Sequence, residues 1–228
     1  MFKKLSNIGD CGIVCDFGEE VNKSVNTEVI KLFHHIKKQS SDGNLSGILN
    51  CTPSYNKLII NFDLKKTNNK KIIDFLKLVD FSKLNLSENK KEWIIPICYD
   101  FEMDLKNMSK VLKIDKEEII NIHLNTDFFI YMIGFVPGHP FMGDLDSKLF
   151  LNRLTTPRVK IPAGSVGIVE KFCNIYPYES PGGWNIIGKT PKKVFNKKDS
   201  TNPCLLSPGD MVKFKSISKK EFEKLSNE

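Results

Sequence analysis

Residues 183–190 read GWNIIGKT, which matches the G-x-x-x-x-G-K-[ST] pattern of the phosphate-binding loop in nucleotide hydrolases. Such a loop needs a buried strand before it and a helix after it, because backbone N–H groups and the helix N-terminus hold the phosphates. Here Ser180, Pro181 and Gly182 indicate a turn before the segment, and no amphipathic pattern follows Pro191. The four residues inside the match are mostly apolar and β-prone. We therefore predict a strand that enters a turn, and no phosphate loop.

Arginine is rare in this chain, and both copies lie in one short segment. Of the 34 basic residues only Arg153 and Arg158 are arginine. A guanidinium is a planar fork that binds an anion through two parallel hydrogen bonds, which lysine cannot do. Arg158 is therefore a candidate for binding a carboxylate, a phosphate or backbone carbonyls. The alternative is a structural arginine that holds a loop.

The cysteines and histidines show no pattern of a metal site. The six cysteines include no C-x-x-C pair, and the four histidines lack ligand spacing. His34 and His35 are neighbours on a predicted helix, so their side chains point in different directions. We predict neither a metal site nor a disulfide framework. A cysteine hydrolase that uses Cys173 with His139 is an alternative, although nothing in the sequence orients the pair.

The composition is that of a folded globular protein with a basic surface. The chain has 228 residues, 40% of them hydrophobic, which suffices for one large domain or two small ones. Its net charge is +7, but lysines alternate with acidic residues and form no stripe with aromatics, so no nucleic-acid partner is expected. No apolar run reaches 18 residues, and MFKKLSNIGDCG lacks the apolar core of a secretory signal. We expect no membrane association and a cytoplasmic protein.

The first hundred residues alternate between strand-like and helix-like patterns. Residues 25–38 place apolar side chains at helical spacing, and two strand-like runs flank the turn TPSYN. The order is βαββαβ, which predicts a ferredoxin-like sheet with two helices. The predicted elements cover residues 9–18, 25–38, 46–51, 57–63, 68–80 and 92–100.

The second half of the chain has a different texture. After a helical stretch at 102–125, eight of the 14 glycines and seven of the 11 prolines fall between Gly134 and Pro191. Short apolar runs between turn residues are typical of an all-β barrel or sandwich. The sequence thus predicts an α+β protein with an α/β domain at 1–102, a helical connector at 103–126 and a β domain at 127–228.

Three spaced motifs carry a more specific resemblance. They are GFVPGHPFMGDLD at 134–146, TPRVKIPAGSVGI at 156–168 and IYPYESPGGWNIIGKTP at 175–191. Together with GDCGIVCDFG, TPSYNKLIINFD and IPICYD, they resemble the B subunit of the bacterial ATP-dependent 5-oxoprolinase, nearly end to end. The same family is called allophanate hydrolase subunit 1, includes Kip-type inhibitors of sensor histidine kinases, and is related to a carboxyltransferase subdomain of urea carboxylase.

The resemblance implies a fold, an activity and partners. The fold would be a ferredoxin-like domain followed by a cyclophilin-like β-barrel. The activity would be hydrolysis of 5-oxoproline (pyroglutamate) to glutamate, with ATP used by a complex that also contains subunits C and A. The chain would be inactive alone. The alternative within the family is a regulatory protein that binds and inhibits a histidine kinase.

The resemblance also implies candidate substrate-binding residues, although many of them would equally shape a barrel. Arg158 would bind an anion, Gly164 and Ser165 would offer a backbone N–H and a hydroxyl, and Tyr176 and Ser180 would offer hydroxyls. The remaining candidates form turns, an apolar wall or the site's rim: Pro137, Gly138, His139, Gly183 and Trp184.

Several positions depart from the family pattern. His139 stands where relatives commonly have another aromatic residue, and EKFCN at 170–174 replaces a Gln-Thr-Gly stretch, with Asn174 at the glycine position. Asn174 can adopt the left-handed backbone that glycine favours, so the turn would be kept. The loss of an amide at Phe172 and of a hydroxyl at Cys173 would remove hydrogen bonds from the site. Lys189 stands where arginine is usual, and this substitution alone creates the match to a phosphate loop.

Overall fold

A computed structural model describes residues 2–85 and 90–227, and the chain divides into two compact units, Met1–Lys90 and Lys91–Glu228. The N-terminal unit has mixed α/β content. Its strands and α-helices are β1 (Lys4–Ile8), β2 (Gly12–Asp16), α1 (Lys23–Ser41), β3 (Ile48–Pro53), β4 (Lys57–Phe62) and α2 (Asn69–Lys77).

The N-terminal sheet is antiparallel, with the strand order β1-β2-β4-β3. Each helix begins after an asparagine, because the side-chain oxygens of Asn22 and Asn68 accept backbone N–H groups of the first turn. The helical spacing of Val29, Leu32 and Ile36 places these side chains in one buried core with the strands.

The last strand of the predicted βαββαβ sheet was placed wrongly. Residues 92–97 do form a strand, but it pairs in parallel with residues 211–216 of the C-terminal unit. Its apolar residues Ile95 and Ile97 are buried in the core of that unit. Strand β1, which was not predicted, lies beside β2 instead. The ferredoxin-like arrangement as a whole is therefore not confirmed, and the division at Lys90 differs from the predicted boundary at residue 102.

The C-terminal unit contains a seven-stranded sheet and a separate two-stranded one. The large sheet has the order β12-β9-β10-β7-β6-β13-β5, and β8 pairs with β11. In chain order the elements are β5 (Glu92–Ile97), α3 (Leu105–Leu112), α4 (Lys116–Leu124), β6 (Phe128–Ile133), β7 (Pro140–Gly143), β8 (Arg158–Ile161), β9 (Ser165–Val169), β10 (Phe172–Ile175), β11 (Ser180–Gly182), β12 (Asn185–Lys189), β13 (Met211–Ser216) and α5 (Lys219–Ser226).

The seven-stranded sheet nearly closes into a barrel. Cys98, directly after β5, exchanges two backbone hydrogen bonds of 2.8 and 2.9 Å with Lys189 at the end of β12. This contact joins the two outermost strands of the sheet at one point. The predicted helical stretch contains α3 and α4, and both belong to this unit.

Alternation along the strands gives the large sheet two buried faces. Cys173 and Ile175 of β10 lie in the main core, so Asn174 points to the opposite face. On that face a second set of side chains packs together, which we call the aromatic cluster: Phe141, Ile161, Val169, Phe172, Tyr176, Trp184 and Ile186. In the described part of the chain no helix is long and apolar enough to cross a membrane.

Candidate functional site

The segment that matched a phosphate loop is a strand of the barrel. Asn185–Lys189 pairs with β9, and the backbone N–H groups of Lys189 and Thr190 donate to Cys98 and Gly164. The Lys189 ammonium lies 5.9 Å from the ring centroid of Phe101. The predicted strand is confirmed. Because these N–H groups serve the sheet and its turns and no helix follows, the segment does not fit the phosphates of ATP.

Arg158 binds a carboxylate, but the carboxylate belongs to the chain itself. Its two terminal nitrogens donate to the two Asp104 oxygens at 3.0 and 2.5 Å. Asp104 is only 5% exposed and also accepts the backbone N–H of Ile186 at 2.7 Å. This geometry supports the structural alternative for Arg158. Asp104 was not among the predicted residues, since it lies 54 residues away and precedes helix α3.

Gly164 lies in the turn that leads into β9, and Ser165 is the first residue of that strand. The N–H of Gly164, predicted to face a ligand, donates to the carbonyl of Tyr176 at 2.8 Å. Gly164 has φ of +81°, and a Cβ there would lie 2.4 Å from the carbonyl oxygen of Thr190. Glycine is therefore required by the turn. Ser165 is buried, and its carbonyl accepts the N–H of Tyr176.

Three further candidates also shape turns. Pro137 and Gly138 lie between β6 and β7, where a Cβ at Gly138 would approach the Cβ of Phe195 to 2.5 Å. Ser180 begins β11, and its hydroxyl donates to the carbonyl of Tyr178 at 3.4 Å. The contact of Gly138 and that of Ser180 are both made with neighbouring parts of the chain itself.

His139, Tyr176 and Trp184 come together around the aromatic cluster. The His139 ring lies 5.1 Å from the Tyr176 ring and 5.0 Å from the Phe141 ring, and Phe141 is 5.9 Å from Trp184. His139 Nε2 is 3.0 Å from the side-chain amide nitrogen of Asn174. The two departures from the family pattern, at 139 and 174, therefore contact each other.

The groups in this cluster are uncharged at neutral pH. Burial lowers the pKa of His139 to about 4 and raises the pKa of Tyr176. Within the described residues, Nδ1 of His139 and Oδ1 of Asn174 are buried without a hydrogen-bond partner. His139, Asn174 and Tyr176 are at most 2% exposed, so these three polar side chains are closed to solvent and support the surface around them.

Arg153 lies at the edge of this cluster, beside a cavity. Its guanidinium carbon is 5.9 Å from the centroid of the Trp184 ring. The cavity has a volume of about 540 Å³, within the range of small-molecule sites. Its lining consists of Asn107, Met108 and Val111 of α3, residues 150–155, Glu170 and Asn185. The rarity of arginine in the sequence singles out Arg153, but no motif predicted a role for it.

The cysteine hydrolase alternative is not supported. Cys173 contacts His123 and not His139, with 3.6 Å between Sγ and Nε2, and His123 Nδ1 is 2.8 Å from the Tyr99 hydroxyl. All three residues are buried, and burial raises the pKa of the Cys173 thiol well above its ordinary range. Since the nucleophile must be an accessible thiolate, this arrangement is structural.

The family model for the carboxyltransferase domain, subdomain C and D, matches residues 3–206. The chain belongs to this family. Its resemblance to the 5-oxoprolinase B subunit is confirmed by the Bacillus subtilis (strain 168) protein of that name, which is 33% identical over 99% of this chain and 97% of its own length. Urea amidolyase of Saccharomyces cerevisiae is 24% identical over 96% of this chain, but that match covers only 14% of the yeast protein.

A crystal structure of another protein has a similar fold. The structure of TTHA0988 is 28% identical, with a TM-score of 0.80 over 92% of this chain. The chain spans 40% of the length of TTHA0988. This carboxyltransferase-family chain therefore resembles both proteins of its own length and parts of longer ones.

Within this carboxyltransferase-family chain, the predicted site residues fall into two groups. His139, Tyr176 and Trp184 meet at the aromatic cluster, and Gly183 anchors the neighbouring segment through its carbonyl. The others serve the fold: Pro137, Gly138, Arg158, Gly164, Ser165 and Ser180. The cavity between helix α3 and residues 150–155 is lined by Arg153 and Asn185. No sequence motif assigned a role to either residue.

Proposed function

We propose that the chain is the B subunit of a complex that hydrolyses a cyclic amide, 5-oxoproline, to glutamate with the use of ATP, and that it is inactive alone. The observation that carries this proposal is the resemblance to the 5-oxoprolinase B subunit over almost the full length of both chains. Companion subunits C and A complete the complex in this proposal. The nearly closed seven-stranded sheet supports the further proposal that the C-terminal unit is a cyclophilin-like barrel.

Amide opening requires that the substrate be held while negative charge develops on the carbonyl oxygen. This chain offers a guanidinium at an open cavity and, beneath it, a layer of neutral aromatic and amide groups. We assign to this chain the binding and orientation of the acid. ATP is assigned to the complex as a whole, and residues 183–190 are not proposed to hold its phosphates, since Asn185–Lys189 is a strand of the sheet.

The proposal is tested by glutamate release from 5-oxoproline and ATP in a mixture of this chain with subunits C and A. We expect release with all three subunits and none when this chain is omitted. Size-exclusion chromatography establishes in the same sample that the complex has formed. A well-formed complex that releases no glutamate contradicts the proposal. Inhibition of histidine kinase autophosphorylation by the chain would then support the regulatory alternative.

A further inference from the structure

The two arginines differ in what neutralises them. Both terminal nitrogens of Arg158 donate hydrogen bonds to the buried carboxylate of Asp104. The ion pairs of the described residues include none for Arg153, whose guanidinium contacts the face of Trp184. A guanidinium that lies over a ring keeps the N–H groups at its edge available. Arg153 therefore brings to the cavity a guanidinium that forms no ion pair with any described residue, although the carboxylate of Glu170 lines the same cavity.

The backbone on both sides of Arg153 is fixed. The carbonyl of Asn152 accepts a hydrogen bond of 3.0 Å from the side-chain amide of Asn185, and the N–H of Leu154 donates to the carbonyl of Gly183 at 2.8 Å. Asn185 is 4% exposed and also donates to Ile168, so it belongs to the rigid strand β12. The backbone from which the Arg153 side chain extends is therefore already ordered and loses little entropy when a ligand binds.

The rest of the lining restricts the class of ligand. Met108, Val111 and Phe150 provide apolar surface, and Asn107 and Thr155 provide short polar side chains. Glu170 also lines the cavity. Its backbone has φ of +48°, and its N–H donates to the carbonyl of Leu151. An anion bound near this carboxylate gains if it also carries a hydrogen-bond donor, and an amide N–H is such a donor.

We propose that this cavity binds a small carboxylic acid that bears an amide, and that Arg153 binds its carboxylate. The carboxylate class follows from Arg153 and its surroundings. The choice of 5-oxoproline as the acid rests on the proposed function. Asn185 also lines the cavity, and we assign it a positioning role because its side-chain amide holds the backbone of Asn152 beside Arg153.

Three probes separate the two halves of the ligand: 5-oxoproline, cyclopentanecarboxylate, which lacks the amide, and 2-pyrrolidinone, which lacks the carboxylate. Their dissociation constants are measured by calorimetry or NMR titration on the full chain and on the complex. In Arg153→Gln we expect the dissociation constants of both acids to rise about tenfold or more, and that of 2-pyrrolidinone to stay unchanged. Arg153→Lys, which keeps the charge but not the fork, should give an intermediate loss for the acids.

Lys110→Gln is the matched control, since Lys110 is an exposed cation of α3 that does not line the cavity. It should bind all three probes like the unaltered chain. Equal affinity of Arg153→Gln and the unaltered chain for the acids would overturn the assignment. So would the absence of saturable binding of either acid to the chain and to the complex.

The same experiment distinguishes this assignment from the proposed function. Binding of cyclopentanecarboxylate that depends on Arg153, without binding or hydrolysis of 5-oxoproline, supports the cavity and rejects 5-oxoprolinase activity. Hydrolysis that needs this chain but is unchanged in Arg153→Gln supports the activity and rejects the cavity.

Discussion

Arg153 and Arg158 belong to the same short segment, yet one guanidinium meets a cavity and the other meets a buried carboxylate. Around Arg158 the fold supplies its own anion, and Asp104 joins strand β8 to helix α3 and strand β12. Arg153 has no ion-pair partner among the described residues; it contacts the Trp184 face, two backbone hydrogen bonds hold its neighbours, and Glu170 lines the same cavity. The comparison teaches that the partner, and not the residue type, decides whether an arginine stabilises the fold or remains available for a ligand.

The largest effect should come from removing the internal anion. Asp104→Ala leaves the Arg158 guanidinium and the Ile186 N–H without their acceptor, so we expect the C-terminal unit to lose about 3 kcal/mol of stability. Urea unfolding followed by tryptophan fluorescence measures this loss, since Trp93 and Trp184 both lie in that unit.

The control for this variant is the exposed pair of Asp127 and Lys213, whose side chains are 56% and 60% exposed. Asp127→Ala should change the stability by less than about 0.5 kcal/mol, because water screens such pairs. If the two alanine variants behaved alike, the contrast between an internal ion pair and an open guanidinium would not hold.

Acid should weaken the neutral support beneath Arg153. The pKa of His139 falls from its ordinary 6.5 to about 4 in the folded chain because the ring is buried. The unfolded chain therefore binds the proton more readily, and stability is full above about pH 6.5 and decreases as the pH falls toward 4. We expect His139→Phe to remove about 1.4 kcal/mol per pH unit from this dependence, or about 2 kcal/mol between pH 7 and 5.

Urea midpoints at pH 8, 7, 6 and 5 measure the difference between the unaltered chain and His139→Phe. Between pH 8 and 7 the difference should be nearly constant, since the ring is mostly neutral in both states. A residual acid sensitivity is expected from His123, whose burial lowers its pKa to about 3. If the urea midpoints of the two proteins changed in parallel down to pH 5, protonation of His139 would not be the cause of the acid sensitivity.

The anchor of Arg153 should affect stability and binding together. Asn185→Ala removes hydrogen bonds of 3.0 and 3.2 Å, so we expect a loss of about 1.5 kcal/mol and a several-fold weaker binding of 5-oxoproline. Asn121→Ala, at an exposed position of α4, should change neither quantity. Loss of stability with unchanged affinity for the acid would show that the position of Arg153 does not depend on Asn185.

The smallest effect should separate the two arginines most directly. Arg158→Lys keeps a positive charge but cannot reach both Asp104 oxygens, so we expect about 1 kcal/mol of destabilisation. Arg153→Lys breaks no ion pair of the described residues and should shift the urea midpoint by less than the experimental scatter. The comparison fails if Arg153→Lys destabilises the chain as much as Arg158→Lys does.

Local patterns in the sequence predicted the positions of helices and strands better than they predicted which strands pair. The apolar spacing of residues 25–38 located helix α1, observed at Lys23–Ser41, and the short apolar runs located β4 and β12. Strand β1 was missed because KLSNI carries little apolar alternation. The partner of β5 could not be predicted, because pairing with a strand at the other end of the chain leaves no local signal.

The candidate site shows the same limit. The rarity of arginine drew attention to the segment that contains Arg153 and Arg158, and the structure brings the candidates His139, Tyr176 and Trp184 to one cluster. The sequence could not show that a distant carboxylate binds Arg158, nor that helix α3 forms a cavity with residues 150–155. Both facts depend on contacts between residues far apart in the chain.

The pairing of β5 with β13 also sets an order of events during synthesis. In the N-terminal unit the strand pairings fall within residues 4–62, so that sheet can form before the rest of the chain has been synthesised. Strand β5, with its apolar Ile95 and Ile97, must wait for residues 211–216 before its partner exists. During translation strand β5 therefore stays without its β13 partner until almost the whole second unit has been synthesised, and an apolar strand exposed in this way promotes aggregation.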